Sequence, residues 1–216
     1  LVEMRAAYER RPSTAALVTY DRLLGIADRL SEEDDDEKTA VAYVAAAEEY
    51  QKAVGKSAPY PLIRAHRFYD RAGQLSAATR YLEAAFSADP DYKYGALSVA
   101  DRHSAWAIEL PYYESRKQAD EAFDNKQWLS AYSKYGEAEK YALEAHQSEK
   151  SRFVSRPLAA ESATNAATSL QNAEQWQRAR RLLQGIRREY PDYDAVLISE
   201  RIREIDNECP NQFLGC

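Results

Sequence analysis

Turn-forming residues and cysteine are scarce in this chain. Its 216 residues include only seven Gly, eight Pro and two Cys. A strand-rich protein of this size needs more turn residues and more Val, Ile and Thr, whereas Ala, Leu, Glu, Arg and Gln dominate this sequence. Gly-rich phosphate loops, GxSxG elbows and HExxH helices do not occur either. The composition therefore favours long helices and gives no motif for nucleotide binding or hydrolysis.

Long apolar runs and an excess of positive charge are also lacking. No stretch approaches the roughly eighteen apolar residues of a membrane span, and the first residues, LVEMRAAYERR, have no apolar signal core. The net charge of -6 provides no field that attracts nucleic acid. We expect no transmembrane segment in this chain and no nucleic-acid partner. The chain does not begin with Met, which is compatible with the removal of a signal peptide or the loss of a lipid anchor.

The two cysteines lie together in CPNQFLGC, at Cys209 and Cys216. Pro210 and Gly215 allow this segment to turn back, which predicts a local disulfide that closes an eight-residue loop. The alternative is a pair of free thiols on a tail. A disulfide would indicate an oxidising compartment, such as the periplasm or the exterior.

Helical periodicity runs along almost the whole chain, with breaks at Pro and Gly. It predicts about ten helices, near 14–30, 38–53, 60–72, 75–88, 92–109, 112–124, 128–149, 155–172, 175–189 and 193–206. The first eleven residues can add a short helix before Pro12. We therefore predict an all-α protein.

A pattern of small, apolar and proline residues occurs twice. Ala78, Leu82 and Pro90 have the same spacing as Ala179, Leu183 and Pro191. A weaker copy begins at Ala131 and has no terminal proline. Small residues at regular positions let neighbouring helices approach closely, as they do in stacked helical hairpins. We therefore expect Ala78, Ala131 and Ala179 to lie where helices cross.

On these residues the sequence resembles the tetratricopeptide repeat (TPR) family, in the segments 59–92 and 160–193 and more weakly in 112–145. The resemblance implies a right-handed solenoid of antiparallel helical hairpins over residues 1–208, with a divergent hairpin in 1–55 and a capping helix at 193–206. Residues 209–216 then form a tail. The middle is irregular, because the intervals between copies are not multiples of one repeat. It is either one long helix kinked at Pro111 or an inserted free helix.

The resemblance also implies where a partner binds, since the first helices of such hairpins line the concave face. The implied positions are Tyr60, Ile63, Arg67, Asp70 and Arg71 in the first copy, Tyr113, Arg116, Asp120 and Phe123 in the middle copy, and Glu161, Thr164, Thr168, Gln171 and Asn172 in the last. The first two sets mix aromatic and basic residues, which suits an extended peptide with some acidic character. A solvated helix face is the alternative.

Residues that could carry catalysis are scattered. His66, His103 and His146 lie far from one another and from either cysteine, so packing or surface roles are expected and no metal or cofactor is. We predict a non-catalytic scaffold that binds protein or peptide during assembly of an envelope or secreted complex. The expected location is the periplasm or the outer membrane, with the cytoplasm as the alternative. The alternative function is a small-ligand-binding protein whose solenoid encloses a tyrosine-lined pocket.

Overall fold

The computed structural model describes residues 14–208, and nearly all of this range is helical. The predicted all-α class is confirmed. The described residues form nine helices and one two-stranded hairpin. The helices are α1 (Thr14–Leu30), α2 (Asp36–Val54), α3 (Pro59–Arg71), α4 (Leu75–Ala88), α5 (Val99–Asp124), α6 (Trp128–Gln147), α7 (Arg156–Asn172), α8 (Trp176–Glu189) and α9 (Ala195–Glu208); the strands are β1 (Lys93–Tyr94) and β2 (Leu97–Ser98).

The chain divides into two compact units, and the boundary lies between Trp106 and Ala107, inside α5. The expected repeats at 59–92, 112–145 and 160–193 and the single domain over 1–208 stay predictions. The expected helix before Pro12 and the Cys209–Cys216 disulfide lie outside the described residues. Among residues 14–208, no helix combines the length and apolarity needed to cross a bilayer.

In the first unit, α1 packs on α2, α2 on α3 and α3 on α4. The Asp35 carboxylate accepts a hydrogen bond of 3.0 Å from the Lys38 backbone N–H and so caps the start of α2. Gly55, at a φ of 74°, ends the same helix in the left-handed region. The largest fully buried side chains of this unit are Tyr43, Ile63 and Leu82.

In the second unit, α6 packs on α7, α7 on α8 and α8 on α9. The core is built largely from alanine, together with Leu170, Leu183, Ile186, Ile198 and Ile205. Because alanine has a short side chain, the backbones of adjacent helices come close together.

The turns inside three helical hairpins repeat one hydrogen-bond pattern. The N–H groups of Gln74, Gln127 and Gln175 each reach back five residues, to the carbonyls of Tyr69, Ala122 and Leu170, and each bond is 2.8 Å long. The preceding residues, Gly73, Lys126 and Glu174, all have φ between 58° and 68°. This is the Schellman arrangement that ends many helices. It is therefore built on glycine once and on larger residues twice.

The small residues that follow these turns are fully buried: Ala78, Ala131 and Ala179 each have 0% of their surface exposed. The N–H of each bonds to the carbonyl of the turn glutamine, at 2.9 to 3.0 Å. The three positions are thus equivalent in burial and in backbone geometry.

The segment from 92 to 124 differs from the predicted helices 92–109 and 112–124. Residues 93–98 form an antiparallel hairpin that pairs Lys93 with Ser98 and Tyr94 with Leu97. Gly95, at a φ of 68°, allows the chain to reverse here. A single helix, α5, then continues through Pro111. Of the two predicted arrangements for the middle, the structure has the one long helix.

Helix α5 begins directly after β2 because Ser98 and Asp101 cap each other. The Asp101 carboxylate accepts bonds from the Ser98 hydroxyl at 2.8 Å and the Ser98 N–H at 3.3 Å, and the Ser98 hydroxyl accepts one from the Asp101 N–H at 3.0 Å. Such reciprocal bonds satisfy donors that a helix N-terminus leaves open. They fix the helix start at Val99, seven residues later than expected.

Candidate functional site

The five residues predicted to line a binding face in the first unit all lie on α3, but they differ in accessibility. Ile63 is 1% exposed and belongs to the core, so its side chain cannot reach a partner. Arg71 is paired with Asp36 at 3.0 Å. Arg67 is exposed, whereas Tyr60 and Asp70 are half-buried. Arg67 and Tyr60 are thus the residues of this set that a partner can contact, one through a cation and the other through an aromatic ring.

Arg64, which the sequence analysis did not single out, is the centre of this region. Its guanidinium donates hydrogen bonds to the Tyr43 hydroxyl at 2.7 Å and to the Tyr94 hydroxyl at 3.0 Å. It also lies over the rings of Tyr43 and Phe68, at 4.9 and 5.1 Å from their centroids. Helices α2 and α3 therefore supply aromatic rings to one cation and strand β1 supplies a hydroxyl, which is a favourable arrangement for arginine.

A chain of hydrogen bonds connects Arg64 to helix α1. The Tyr43 hydroxyl donates to the Asp28 carboxylate at 2.5 Å, and the Tyr60 hydroxyl lies 3.5 Å from the same oxygen. Burial and the bond to Asp28 together raise the pKa of Tyr43 well above its ordinary value. Tyr43 therefore stays protonated and can orient Arg64 while it bonds Asp28.

The charge environment of Tyr94 differs from that of Tyr43. Burial acts to raise the pKa of Tyr94, but Arg64 and Arg67 outweigh it, and the pKa lies below its ordinary value. Both guanidinium groups thus favour the ionised form of the Tyr94 phenol, and Arg64 donates a hydrogen bond to its oxygen at 3.0 Å. No carboxylate of residues 14–208 lies within 4.0 Å of either guanidinium. We call Tyr60, Arg64, Arg67 and Tyr94 the tyrosine–arginine surface.

The middle set of predicted residues is also brought together, but its charges are satisfied internally. Arg116 bonds to Asp120 at 3.2 Å and to Glu161 at 2.9 Å. The Tyr135 hydroxyl donates to Asp120 at 2.5 Å. Two carboxylates therefore neutralise Arg116, and this site offers no free cation to an anionic partner.

The aromatic members of the middle set pack against other rings. Phe123 lies edge-on to Trp128, with 5.1 Å between centroids, and Tyr113 lies edge-on to Tyr112 at 5.2 Å. Both Tyr113 and Phe123 are half-buried. Their ring contacts fill gaps between helices, so packing accounts for much of their surface.

A cleft of about 550 Å³ lies in the second unit, between the start of α7 and the α8–α9 connection. Arg156 forms one wall, and its guanidinium donates to the Glu189 carbonyl at 2.7 Å and lies 5.6 Å from the centroid of the Tyr190 ring. The Tyr190 hydroxyl bonds to Glu139 at 2.8 Å. Burial raises the pKa of Glu139, although this hydrogen bond opposes the shift. The cleft is lined by Arg156, Pro157, Ala160, Arg188, Glu189, Tyr190, Pro191, Asp192, Tyr193 and Asp194.

The three histidines of residues 14–208 have different surroundings. His66 is buried, His103 stacks on Phe86 at 4.5 Å, and His146 is exposed. Within residues 14–208, no group of three or more His, Cys, Asp or Glu side chains is arranged to hold a metal ion.

Sequence reasoning missed Arg64 because helical spacing placed it beside the expected binding face. The available signal was its position three residues before Arg67, on a helix that has Tyr60 in its first turn. No protein-family model matches this chain, and no curated protein or solved structure matches it. No relative therefore assigns an activity, a ligand or a partner to these residues.

Proposed function

We propose that this chain is a non-catalytic scaffold of TPR-like helical hairpins and that it binds an extended acidic segment of a partner protein. The binding site is the tyrosine–arginine surface. In this proposal the protein serves the assembly of an envelope or secreted complex, in the periplasm or at the outer membrane, with the cytoplasm as the alternative location.

The repeated turns support the TPR-like architecture. At equivalent positions, each of three hairpins has a left-handed residue, a backbone hydrogen bond to the turn glutamine and a fully buried alanine. Two hairpins also end alike, since the N–H groups of Asp89 and Tyr190 bond to the carbonyls of Ala85 and Ile186 at 3.0 and 2.8 Å. Equivalent geometry at equivalent sequence positions is what a repeat protein requires.

The single observation that carries the binding proposal is a pair of arginines on α3, Arg64 and Arg67, for which residues 14–208 supply no carboxylate partner within 4.0 Å. Arg64 is held in place by two tyrosine hydroxyls, and Arg67 is exposed one turn later. A guanidinium matches the geometry of a carboxylate and can form two hydrogen bonds with it. Because Arg64 is already oriented, less side-chain entropy is lost when a ligand binds.

The tyrosines give the surface a second kind of contact. Tyr60 and Tyr94 are half-buried, and their ring centroids are 6.3 Å apart. Such rings supply contact area at low conformational cost and are enriched at binding hot spots. A peptide with acidic residues and an apolar or aromatic residue between them therefore fits this surface.

Charge reversal at Arg67 tests the proposal. We expect Arg67→Glu to weaken binding of a fluorescently labelled Asp/Glu-rich peptide by about tenfold or more, because a charged hydrogen bond contributes about 1.5–3 kcal/mol. Arg80→Glu is the matched control, since Arg80 is also exposed and contacts a tyrosine, Tyr81, but lies on the second helix of the same hairpin. Equal losses in the two variants, or unchanged binding by Arg67→Glu, would contradict the proposal.

The cleft favours a second candidate function, the binding of a small ligand. Its volume of about 550 Å³ is typical of ligand sites, and Tyr190 and Tyr193 are part of its lining. A fragment screen by nuclear magnetic resonance would detect such binding. Fragments that bind wild type but not Tyr193→Ala would support this candidate, whereas a screen without hits in the cleft would remove it.

A further inference from the structure

Glu109 is a fully buried carboxylate whose hydrogen bonds all go to one loop. Its exposed fraction is 0%. One oxygen, Oε1, accepts from the Ser151 hydroxyl at 2.6 Å and from three successive backbone N–H groups, those of Arg152, Phe153 and Val154, at 2.6, 2.8 and 3.3 Å. The other oxygen, Oε2, is buried and has no hydrogen-bond partner among the described residues.

Burying a carboxylate is costly unless hydrogen bonds compensate for the lost water. The compensating hydrogen bonds come from residues 148 to 155, which connect α6 to α7. The same bonds hold the backbone of this loop in place. Consecutive N–H groups that point at one anion form a nest, and they cannot keep this geometry if the loop changes shape. Glu109 is therefore a positioning residue for the 148–155 loop.

The loop that Glu109 holds presents an apolar and basic surface. Phe153 is 51% exposed, the larger exposed fraction of the two exposed phenylalanines of residues 14–208. Lys150 and Arg152 are exposed beside it in the sequence, and Arg156 follows at the start of α7. Glu149 is the one acidic residue of this stretch. The stretch is thus basic although the chain carries a net charge of -6.

The cations of the loop are available to a partner. Arg152 uses one guanidinium nitrogen to bond the Glu149 carbonyl at 2.7 Å, which orients the group and leaves its other donors. Lys150 has no ion pair with any residue of 14–208. An aromatic anchor with oriented basic neighbours is a common centre of protein interfaces.

We propose that the 148–155 loop is a docking site for an acidic protein segment that carries one bulky apolar side chain. Phe153 contacts the apolar side chain, and Lys150 and Arg152 pair with its flanking carboxylates. Glu109 keeps the loop in the binding conformation before the partner arrives, which lowers the entropy lost on binding. The site uses residues of the second unit only, so it stands independently of the tyrosine–arginine surface.

The first test replaces the aromatic anchor in the full chain. The probe is a labelled Asp/Glu-rich peptide with a single Trp, and a Lys-rich peptide with the same Trp controls for charge. We expect Phe153→Ala to weaken binding of the acidic probe by about fivefold or more, as hot-spot residues do. Leu129→Ala is the matched control, because Leu129 is also 51% exposed and belongs to the same unit. Equal affinity of Phe153→Ala and wild type, or preference for the Lys-rich peptide, would overturn the proposal.

The second test examines the positioning role of Glu109. We expect Glu109→Gln to speed hydrogen exchange of the Arg152, Phe153 and Val154 amides by about tenfold or more, because a neutral amide accepts more weakly than a carboxylate. The affinity of Glu109→Gln for the acidic probe should also fall, although this variant keeps the Phe153 side chain. Unaltered exchange and affinity would overturn the role of Glu109. If Glu109→Gln does not fold, Ser151→Ala removes only one of the four donors and is measured in the same way.

A membrane surface is the competing occupant, since anionic lipids also attract basic loops with an aromatic residue. Vesicles of phosphatidylcholine, with and without phosphatidylserine, distinguish the two. Binding of the acidic peptide without binding of either vesicle supports the proposal. Adsorption to the phosphatidylserine vesicles that depends on Phe153, without binding of the acidic peptide, would overturn it.

Discussion

The Nδ1 atom of His66 lies 3.0 Å from the carbonyl oxygen of Ala78, where α3 packs against α4. A carbonyl only accepts hydrogen bonds, so Nδ1 of the imidazole carries a hydrogen atom and donates it to this carbonyl. Its ring is perpendicular to the Trp106 ring, with 4.9 Å between centroids. An imidazole is thus buried between these two helices, and a hydrogen bond and a ring contact accommodate it.

Acid should destabilise the protein through His66. Burial lowers the pKa of His66 to about 4; the Ala78 bond opposes this shift and Arg102 adds to it. The neutral form is therefore favoured on folding. Its stabilisation is complete above the ordinary pKa of about 6.5 and is lost as the pH falls from there towards about 4, by up to about 3 kcal/mol. Urea melts across this window measure the loss.

His66→Gln is the control for that prediction, since it keeps a donor for the Ala78 carbonyl and cannot titrate. Its stability should depend less on pH between about 6.5 and about 4 than that of wild type. Parallel stability curves for the two proteins would show that His66 is not responsible.

Enlarging a buried alanine should destabilise the second unit. Ala179 has 0% exposure and lies in the core with Leu183 and Ala167. We expect Ala179→Leu to lower the free energy of unfolding by about 1–3 kcal/mol through overpacking. The exposed Ala107, on α5, is the matched position for Ala→Leu, where little change is expected. Thermal melts of both variants decide the matter, and no loss at Ala179 would contradict close helix packing there.

Glycine should stabilise the turn at Lys126. The φ of this lysine is 59°, a conformation that strains a side chain but not glycine. We expect Lys126→Gly to raise the free energy of unfolding by about 0.5–1 kcal/mol. Lys140→Gly, inside α6, should instead lower it by about 1 kcal/mol, because glycine is unfavourable in a helix. Chemical denaturation that finds the same sign for both would refute the role of the turn.

Loss of one hydroxyl should disturb the tyrosine–arginine surface. Tyr43→Phe removes the group that bonds both Asp28 and Arg64, and we expect a loss of about 1–3 kcal/mol because both hydrogen bonds involve a charged partner. Affinity for the acidic peptide should fall as well, because Arg64 is no longer oriented. Tyr69→Phe is the control, since Tyr69 is similarly buried and stacks on Tyr81 through its ring. Denaturant melts and peptide titrations of both variants test this, and similar effects of both would argue against an orienting role for Tyr43.

Much of the fold could be predicted because Pro and Gly mark the ends of regular helices. The predicted helices at 14–30 and 75–88 coincide with α1 and α4, and most other boundaries differ by one or two residues. The hairpin at 93–98 was missed because strands of two residues are too short for an alternating pattern. Gly95 between Tyr94 and Leu97 was the available signal.

The candidate sites were less predictable because they depend on contacts between distant residues. Glu109 is an acidic residue on a helix, a pattern that normally indicates an exposed face, and its partners lie 42 to 45 residues away. Arg116 was expected to face a ligand, yet Glu161, 45 residues later, pairs with it. Helical spacing shows which residues share a face, but it does not show which long-range partner covers that face.

The position of the unit boundary inside α5 affects how this protein can be cut into fragments. A fragment that stops at Trp106 would keep only the first eight residues of α5 and would expose the last carbonyls of a severed helix to water. A fragment that starts at Ala107 would lose the Ser98–Asp101 cap. Expression of either half on its own therefore calls for an overlapping design in which both fragments carry the whole of Val99–Asp124.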